Sequence, residues 1–520
     1  MEKNYQFAAN DFAFAQKDAK LTDLKFDTKP IGYFKDAWIR FRKSKAAIFG
    51  GVVIILIVMY ALIMPFCGSN DGSVTDGVYQ KMVAYNEPLA SSLHICDGTY
   101  DKALKSKGYL ALESIAIGYE DNDGAHLADA VAKCEESPYN PIVSVKSTYM
   151  SEGAEVRDCK VQAYWECGFR FYQIDEAEYN NMVAWQEETG KQLLFPMLDK
   201  SKIETIVLTT TPDKGANYWY QTKGGYPVRQ DGSRISTIEG MKNAVDVYLR
   251  DDAGNILYRN DVATKGSYEV RVFYWHYYQY KHAGKLPNFL FGTDDQGRDI
   301  AVRLASGIRL SLILSISTFV VNFVIGAIYG SIEGYYGGAA DLIMERISDI
   351  LANIPFVVLA SIVNMRYIST GKMNALGALI FAFVLTGWLG PAYRVRTQFY
   401  RFKNQEYVLA ARTLGANDAR IMFKHIFPNT LGTIITASVL TIPGTIFSES
   451  SLSYLGIINL EQGTTTSLGT MLATGQQFMT TYPHIIFPPA IIISLLMISF
   501  NLFGNGLRDA FNPSLRGVEE

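Results

Sequence analysis

Six apolar stretches constrain the fold of this sequence more than any other feature. A helix needs about 20 apolar residues to cross the hydrocarbon core of a bilayer. The first two stretches, Ala46 to Met64 and Leu310 to Ile332, are long and carry no charged residue. The other four are Ile350 to Met365, Met373 to Tyr393, Phe427 to Phe447 and Tyr482 to Leu507. The sequence therefore predicts six transmembrane helices, which are called spans 1 to 6 in chain order.

The third stretch is the shortest, and it reaches the length of a span only together with the amphipathic "DLIMERISD" before it. A buried helix of a soluble protein is the alternative for any one stretch. It would explain one short run but not six, in a chain that is 48% hydrophobic and only 19% charged. An all-α membrane protein is therefore the predicted class.

Lysine and arginine near the spans predict the orientation, because they are enriched on the cytoplasmic side. Basic residues before span 1 are Lys35, Arg40, Arg42, Lys43 and Lys45. The loop after span 4, residues 394–428, is here called the basic loop; its basic residues include Arg394, Arg396, Arg401, Lys403, Arg412, Arg420 and Lys424. Both segments belong in the cytoplasm, as does the C-terminus with Arg508 and Arg516. Arg298, Arg303 and Arg309, just before span 2, would lie outside and argue against this orientation.

With this orientation, the segment between spans 1 and 2 lies outside the cell. We divide the chain into a cytoplasmic segment 1–45, span 1 at 46–66, an inserted domain 67–286 and a second membrane part 287–520. The inserted domain is long enough to bury a core of its own. "AVDVYLRDDAGNILYRN" followed by "SYEVRVFYWHYYQY" alternates like paired strands around a Gly-containing turn. An extracellular α/β domain is therefore predicted.

All five cysteines fall in or beside the inserted domain. Cys67 lies at the membrane edge, and the others are Cys96, Cys134, Cys159 and Cys167. Outside the membrane these four are candidates for two disulfides in three connectivities. Free buried thiols are the alternative. A zinc site fits less well, because Cys159 and Cys167 are too far apart for the usual close pair.

Two motifs that resemble enzyme sites do not predict catalysis. "GTDDQGRD" has the glycine spacing of a phosphate-binding loop, but Arg298 and Asp299 stand where Lys and Ser or Thr would be required. His276 and His282 flank an aromatic run without a pattern of metal ligands, so packing or surface roles are expected. No catalytic residues and no metal site are predicted.

The stretch "YVLAARTLGANDARIMFKHIFPN" predicts a helix, a turn and a second helix within the basic loop. Good helix formers run from Glu406 to Leu414, and Gly415 can turn the chain sharply. Small residues at Ala410, Ala411, Gly415 and Ala416 allow another protein to approach closely. An ordinary loop that keeps positive charge inside is the alternative.

At this stretch the chain resembles a known family. "EYVLAARTLGANDARIMFKHIFPN" is similar to the EAA loop of ABC importer permeases, in the variant of the second permease subunit of oligopeptide and dipeptide importers. "FGTDDQGRDIAVRLASGIRLSL", "EGYYGGAADLIMERISDILANIPFVVLA", "SESSLSYLGI" and "NLFGNGLRDAFNPSLRG" agree in the same order. The resemblance covers about residues 30–66 and 287–516; the inserted domain has no counterpart in ordinary members.

The resemblance implies a type I ABC importer permease fold in a bacterial cell membrane. Expected partners are a second, similar permease, two cytoplasmic ABC ATPases, an extracellular solute-binding protein, a peptide substrate and membrane lipid, without nucleic acid. ATP and Mg would be bound by the ATPases, and this chain would hold no cofactor and catalyse nothing. Closure of the ATPases would rock the spans between inward-open and outward-open states.

The resemblance also implies which residues of the basic loop contact an ATPase. They are Glu406, Ala410, Ala411, Arg412, Gly415, Ala416 and Asp418. The glutamate of the family motif is replaced here by Leu409, while Glu406 lies about one helical turn earlier.

Three polar residues in or beside the spans are candidates for the translocation path. Glu449, near the end of span 5, is costly to place in a membrane and so faces either an aqueous path or the interface. Asp349 and Asn364 bracket span 3 and are the other two.

Two classes of function remain open from the sequence. The first is an ATP-driven importer of oligopeptides, with dipeptides, nickel complexes or other small solutes as alternative cargo. The second is a receptor that senses a ligand through the inserted domain. The six spans and the loop motif favour the importer.

Overall fold

The computed structural model describes residues 33–67, 76–93, 95–123, 127–199, 217, 220–222, 244–246, 248–262, 266–461 and 465–511. The first 32 residues of the predicted cytoplasmic segment, and Arg516, lie outside the described residues. The helices and strands below all belong to the described part of the chain.

Five described helices are long and apolar enough to cross a membrane. They are Lys45–Cys67, Ile300–Tyr336, Ala375–Phe402, Asp418–Tyr454 and Pro483–Phe511. They contain spans 1, 2, 4, 5 and 6 of the sequence prediction. Two of them run for 37 residues, about 55 Å at 1.5 Å per residue, so they exceed the roughly 30 Å hydrocarbon core. The ends of these two helices therefore project beyond the bilayer. The predicted bounds of spans 2 and 5 did not include these ends.

Span 3 is a bent pair of helices instead of one rod. Gly338–Ala352 and Phe356–Ile368 meet at 72°, and the pair completes a set of six if it is counted as one span. Pro355 lies at the bend, and a residue that precedes proline is disfavoured in the helical conformation. The predicted stretch from Ile350 to Met365 crosses this break, so span 3 is not a single continuous helix.

Spans 2 and 4 pack unusually closely through glycine. A Cβ atom at Gly330 would lie 2.2 Å from the Ala392 carbonyl oxygen, and one at Gly334 would lie 2.7 Å from that of Arg396. Small residues four apart along one helix face allow two backbones to approach in this way. A movement of the span 4 helix would therefore also move span 2.

Shorter helices complete the membrane part. Tyr33–Lys43 precedes span 1 and packs on the last span through Phe41 and Phe503, whose ring centroids are 5.4 Å apart. Glu406–Thr413 lies in the basic loop, and Leu468–Gln476 lies between spans 5 and 6. Within the long helices, π-helical turns occur at Asn364–Ile368 and Ile421–Ile426.

The inserted domain contains both helices and antiparallel sheets, as the predicted α/β character requires. Its helices are Glu87–Leu93, Ser106–Glu120, Leu127–Lys133, Ala163–Glu166, Glu176–Thr189 and Tyr274–Lys281. Its strands are β1 Thr99–Lys105, β2 Ile142–Ser151, β3 Ala154–Gln162, β4 Phe169–Asp175, β5 Leu194–Phe195, β6 Tyr220–Thr222, β7 Ala244–Asp246, β8 Arg259–Asp261 and β9 Ser267–Phe273. The sheet orders are β1-β3-β2, β4-β9-β5 with β8 also on β9, and β6-β7.

The predicted strand pairing near Gly254 is correct in part. Arg250 and Ile256 form a bridge across the Gly254 turn, and β8 pairs with β9 in antiparallel register. The second stretch, however, is a strand only as far as Phe273 and continues as the helix Tyr274–Lys281. The aromatic residues of this helix pack into the core of the domain. The alternating pattern of the sequence predicts a strand and does not reveal the helix.

Aromatic rings form the core of the inserted domain, and His276 is one of its members. The ring of His276 is fully buried; its nitrogens contact the Gln192 carbonyl oxygen at 2.6 Å and the Tyr139 hydroxyl at 3.1 Å. Burial lowers the pKa of His276 to about 4, so the ring is neutral near pH 7. This is the packing role expected from the sequence.

Hydrogen bonds join the inserted domain to the segment that leads into span 2. Tyr85 and Phe289 exchange both of their backbone bonds, at 3.0 and 2.8 Å. The Met82 amide donates to the Thr293 hydroxyl at 2.8 Å, and Phe289 is part of the domain core. The segment from Phe289 to Thr293 therefore packs as part of the inserted domain, although it follows the predicted boundary at 286.

Candidate functional site

The basic loop folds as the helix, turn and second helix that the sequence predicts. The first helix is Glu406–Thr413, Leu414 follows it, and Gly415 then adopts a φ of +82°. The side chain of Asn417 then caps the next helix by accepting a hydrogen bond from the Arg420 amide at 2.9 Å. Glycine adopts this left-handed conformation without steric cost, so it allows the sharp turn.

A small apolar core holds the loop against the membrane part. Val408 is fully buried and clusters with Phe399, where the helix of span 4 extends into the loop, and with Ile421 and Ile426, where the helix of span 5 begins within it. Burying a valine or isoleucine side chain contributes about 1.5–3 kcal/mol. The loop is therefore a fixed extension of spans 4 and 5.

The loop is also tied to the end of span 2 by Tyr335. The Tyr335 hydroxyl donates to Asp418 Oδ1 at 2.6 Å, and Arg412 Nη2 donates to the same hydroxyl at 3.4 Å. Displacement of the loop would therefore act on spans 2, 4 and 5 together.

The outer surface of the loop presents two exposed leucine side chains. Leu414 is 87% exposed and Leu409 is 45% exposed, whereas the neighbouring Val408 is buried. Ala410 and Gly415 are exposed on the same loop. Exposed apolar side chains grouped on a rigid projection are typical of a protein contact surface.

At the start of the basic loop, Arg396 links three helical segments by ion pairs. Its Nε and Nη2 atoms donate to the two carboxylate oxygens of Asp341 at 2.7 and 3.0 Å, and its Nη1 donates to Glu345 at 2.9 Å. Glu333 of span 2 lies 3.4 Å from the same guanidinium. A bidentate arginine fixes orientation as well as distance, so spans 2, 3 and 4 are held in one arrangement near the loop.

Glu449 lies in a fully buried cluster of serine hydroxyls at the other end of the helices. Its Oε1 accepts hydrogen bonds from Ser467 at 2.6 Å and Ser453 at 3.2 Å, and its Oε2 accepts one from Ser311 at 3.2 Å. These serines belong to three segments: the residue that caps Leu468–Gln476, span 5, and span 2. The carboxyl of Glu449 therefore joins spans 2 and 5 to the connection between spans 5 and 6.

A cluster of opposite charges lies where the inserted domain meets span 2. Arg298 contacts Asp294 at 2.9 Å and Glu461 at 2.5 Å, and Arg303 contacts the same two carboxylates at 3.2 and 3.0 Å. Burial by itself raises the pKa of Glu461, but Arg303 and Arg298 outweigh it and hold that pKa below its ordinary value. Two of the three arginines that argued against the predicted orientation are thus paired with acids.

The comparisons with known proteins agree on one family. Residues 322–517 match the family described as binding-protein-dependent transport system inner membrane component, and residues 32–84 match the N-terminal transmembrane domain of oligopeptide transport permease C. The chain is 45% identical over 226 residues to the oligopeptide transport system permease protein OppC of Bacillus subtilis (strain 168), covering 44% of this chain and 72% of the relative. The chain belongs to this family of membrane transport components.

A second relative of the permease is the dipeptide transport system permease protein DppC of the same organism. It is 42% identical over 227 residues, which are 44% of this permease and 69% of the relative. Among solved structures, a chain of the inward-facing MetNI methionine ABC transporter is similar at 18% identity and a TM-score of 0.34, over 40% of this permease and 96% of that chain. The prediction of an ABC importer permease is confirmed by the family and its relatives.

Of the predicted contact residues in the basic loop, five are exposed or half-buried without a described bond to Tyr335, and two bind Tyr335. Glu406, Ala410 and Gly415 are exposed, and Ala411 and Ala416 are half-buried. Arg412 and Asp418, although exposed, bind Tyr335 within the permease. Sequence reasoning did not single out Leu414 or Tyr335. A large apolar residue directly before the turn glycine is the pattern that could have indicated Leu414.

The three path candidates have different surroundings. Glu449 is fully buried, and its helix continues past it to Tyr454. Asp349 is exposed and pairs with Arg346 at 2.9 Å. The side-chain amide of Asn364 donates to the Ile457 carbonyl oxygen. The structure does not bring the three together into one site.

All five cysteines are free thiols in the structure, so the predicted disulfides among Cys96, Cys134, Cys159 and Cys167 are not formed. Cys167 is buried, with its sulfur 3.8 Å from the Ala163 carbonyl oxygen, and burial raises the pKa of its thiol to about 12. Cys159 is also fully buried, on β3. These two thiols act as small packing groups. Among the described residues, no group of three or more His, Cys, Asp and Glu side chains is placed to hold a metal.

Asp299, at the start of span 2, gives a prediction for pH dependence. Its Oδ1 accepts a hydrogen bond from the Ala301 amide at 2.8 Å, but its Oδ2 is buried without a partner. Burial raises the pKa of Asp299 to about 7, and the nearby charge of Asp294 adds to this effect against two backbone hydrogen bonds.

Because the folded state holds this proton more tightly, the stabilising contribution of protonated Asp299 is complete below about pH 4 and is lost as the pH rises to about 7. Asparagine caps helices as well as aspartate does and carries no charge. We expect the unfolding temperature of Asp299→Asn to exceed that of the wild type by a margin that grows up to about pH 7 and then stays level. Thermal unfolding of detergent-purified permease across this range measures the margin, with the exposed Asp252→Asn as control. A margin that is independent of pH would contradict the assignment.

Proposed function

We propose that this permease is a subunit of an ATP-driven importer of short peptides and that its basic loop receives the motion of partner ATPases. The observation that carries the proposal is the loop itself. It exposes Leu414 and Leu409 outward and is anchored inward by Val408 and Tyr335. A rigid projection with an apolar outer surface suits a subunit that is moved by a partner.

The connection from loop to spans supports a coupling role. A force applied at Leu414 passes to spans 4 and 5 through the buried core and to span 2 through Tyr335. Spans 2 and 4 are in turn in glycine-mediated contact and share the Arg396 ion pairs. Such a unit can rock as one body, as alternating access requires.

The sidedness of the proposal follows from charge. The basic loop and the basic segment before span 1 lie at the cytoplasmic end, since Lys and Arg are enriched there. The inserted domain then lies outside the cell. Arg298 and Arg303 fit this orientation because Asp294 and Glu461 compensate them.

The relatives support the substrate class and the partners. The two similar proteins are named for oligopeptide and dipeptide transport, and the family description refers to a binding protein. The proposed complex therefore contains this permease, a second similar permease, two ATPases that bind ATP and Mg, and an extracellular solute-binding protein. This subunit itself performs no chemical step.

Reconstitution of the complex tests the proposal. The permease is purified with its co-purifying subunits and placed in liposomes with the binding protein outside. We expect a peptide such as tri-alanine to stimulate ATP hydrolysis and to accumulate inside. Absence of ATPase subunits from the purified complex, or hydrolysis without uptake of any peptide, would overturn the assignment.

A further inference from the structure

A cavity of about 700 Å³ lies between the inserted domain and the beginning of span 6. One wall comes from the inserted domain and includes Lys102, Glu166 and Arg170; the other includes Tyr482 and His484. Small-molecule sites usually measure about 300–1,000 Å³. The residues that line the cavity do not include any of the basic loop.

The walls of the cavity combine apolar and charged groups. Val78, Met82, Leu112 and Ile115 supply apolar surface, and Tyr100 adds an aromatic ring. Sites that bind small molecules are mostly apolar with a few polar groups that fix orientation. A ligand that matches these walls carries apolar side chains and at least one charge.

Lys81, a residue of the inserted domain, places a positive charge in the cavity. Its ammonium lies 4.5 Å from the ring centroid of Phe478 and 5.7 Å from that of Tyr482. Among the described residues, no carboxylate is within ion-pair distance of it. The two rings position the ammonium beside span 6 but do not neutralise it, so it can attract an anionic group of a ligand.

Glu166 places a negative charge on the wall formed by the inserted domain. Its carboxylate accepts hydrogen bonds from the Tyr100 hydroxyl at 2.5 Å and from the Lys102 ammonium. A carboxylate can accept about four hydrogen bonds, so it retains capacity for an ammonium group of a ligand. The inserted domain thus presents to the cavity a cation next to the start of span 6 and a carboxylate that is also paired with Lys102.

We propose that this cavity binds a short peptide by its two termini, with the carboxylate at Lys81 and the amino group at Glu166. The choice of a peptide as ligand rests on the proposed function. The choice of a ligand with one positive and one negative group rests on the charges in the cavity. Both charges belong to the inserted domain, and Lys81 lies against the ring of Tyr482, so a bound peptide would lie on the domain beside the start of span 6. The inserted domain would then hold substrate at the outer end of the permease.

Binding of tri-alanine to the full-length permease in nanodiscs tests the proposal, measured by equilibrium dialysis without the binding protein. We expect Lys81→Gln and Glu166→Gln each to weaken binding about tenfold or more, as expected for loss of one charge-assisted contact. Lys105→Gln is the matched control, since Lys105 is on the same strand as Lys102 but pairs with exposed Glu152. Thermal unfolding of each variant confirms that it is folded.

Blocked peptides distinguish the two ends. Tri-alanine amide should bind weakly and be insensitive to Lys81→Gln, and N-acetyl tri-alanine should be insensitive to Glu166→Gln. Absence of saturable binding, or equal binding by all variants, would overturn the inference. Liposome uptake by the complete complex distinguishes failure of the proposed site from failure of the proposed importer function. Uptake without binding to the permease alone would refute only the site. Binding to the permease without uptake by the complex would refute only the importer function.

Discussion

Gly415→Arg should reduce peptide uptake to background while leaving the permease folded and inserted in the membrane. A Cβ at Gly415 meets nothing within 4 Å, so the new side chain causes no clash inside the chain. Its left-handed backbone, at φ +82°, costs an arginine about 1–2 kcal/mol. The arginine would instead project from the outer surface beside Leu414 and block the approach of a partner. Uptake and ATP hydrolysis in liposomes measure the effect, with membrane extraction to verify insertion.

A matched variant separates blocked docking from backbone strain. Gly254, in the inserted domain, has a φ of +87° and equally open surroundings. Gly254→Arg introduces the same side chain under the same strain, far from the basic loop, and should retain uptake. Gly415→Asn adopts the left-handed conformation more readily and should be impaired much less than Gly415→Arg. Normal uptake by Gly415→Arg would remove the coupling role of the loop.

Glu449→Leu should both destabilise the permease and abolish uptake. The leucine leaves the hydroxyls of Ser311, Ser453 and Ser467 without their acceptor in a fully buried site. Each buried polar group left unpaired costs about 1–3 kcal/mol, so we expect a total loss of roughly 3 kcal/mol or more. Thermal unfolding in detergent measures the loss, and liposome uptake measures the functional consequence.

Glu449→Gln is the control for the leucine variant. The amide oxygen can still accept from Ser467 and Ser453, and the amide nitrogen can donate to Ser311, so both stability and uptake should be largely retained. Gly469→Ala tests the same packing independently, since its Cβ would lie 2.5 Å from Ser450 Cα, and it should destabilise. If the leucine and glutamine variants were equally stable, the serine cluster would have no structural role.

Local features of the sequence accounted for much of the membrane part. The length and hydropathy of each apolar stretch placed the long helices, because the cost of exposing charge or backbone in lipid acts on each segment separately. The turn at Gly415 was predicted because glycine adopts a left-handed backbone without steric cost. A packing or surface role of His276 was predicted because no pattern of metal ligands surrounds it in the sequence. The family motif in the basic loop led to the correct family before any contact was known.

The sequence alone determined the class of protein, the approximate spans and the place of the basic loop. Only the tertiary structure decided the bend at Pro355, the helix that begins at Tyr274, the free thiols and the partners of Glu449. These depend on residues distant in the chain: Ser311 and Glu449 are 138 positions apart, and Tyr335 and Asp418 are 83 apart. Hydropathy and turn propensity are properties of neighbours in sequence, whereas a buried hydrogen bond depends on which segments packing brings together.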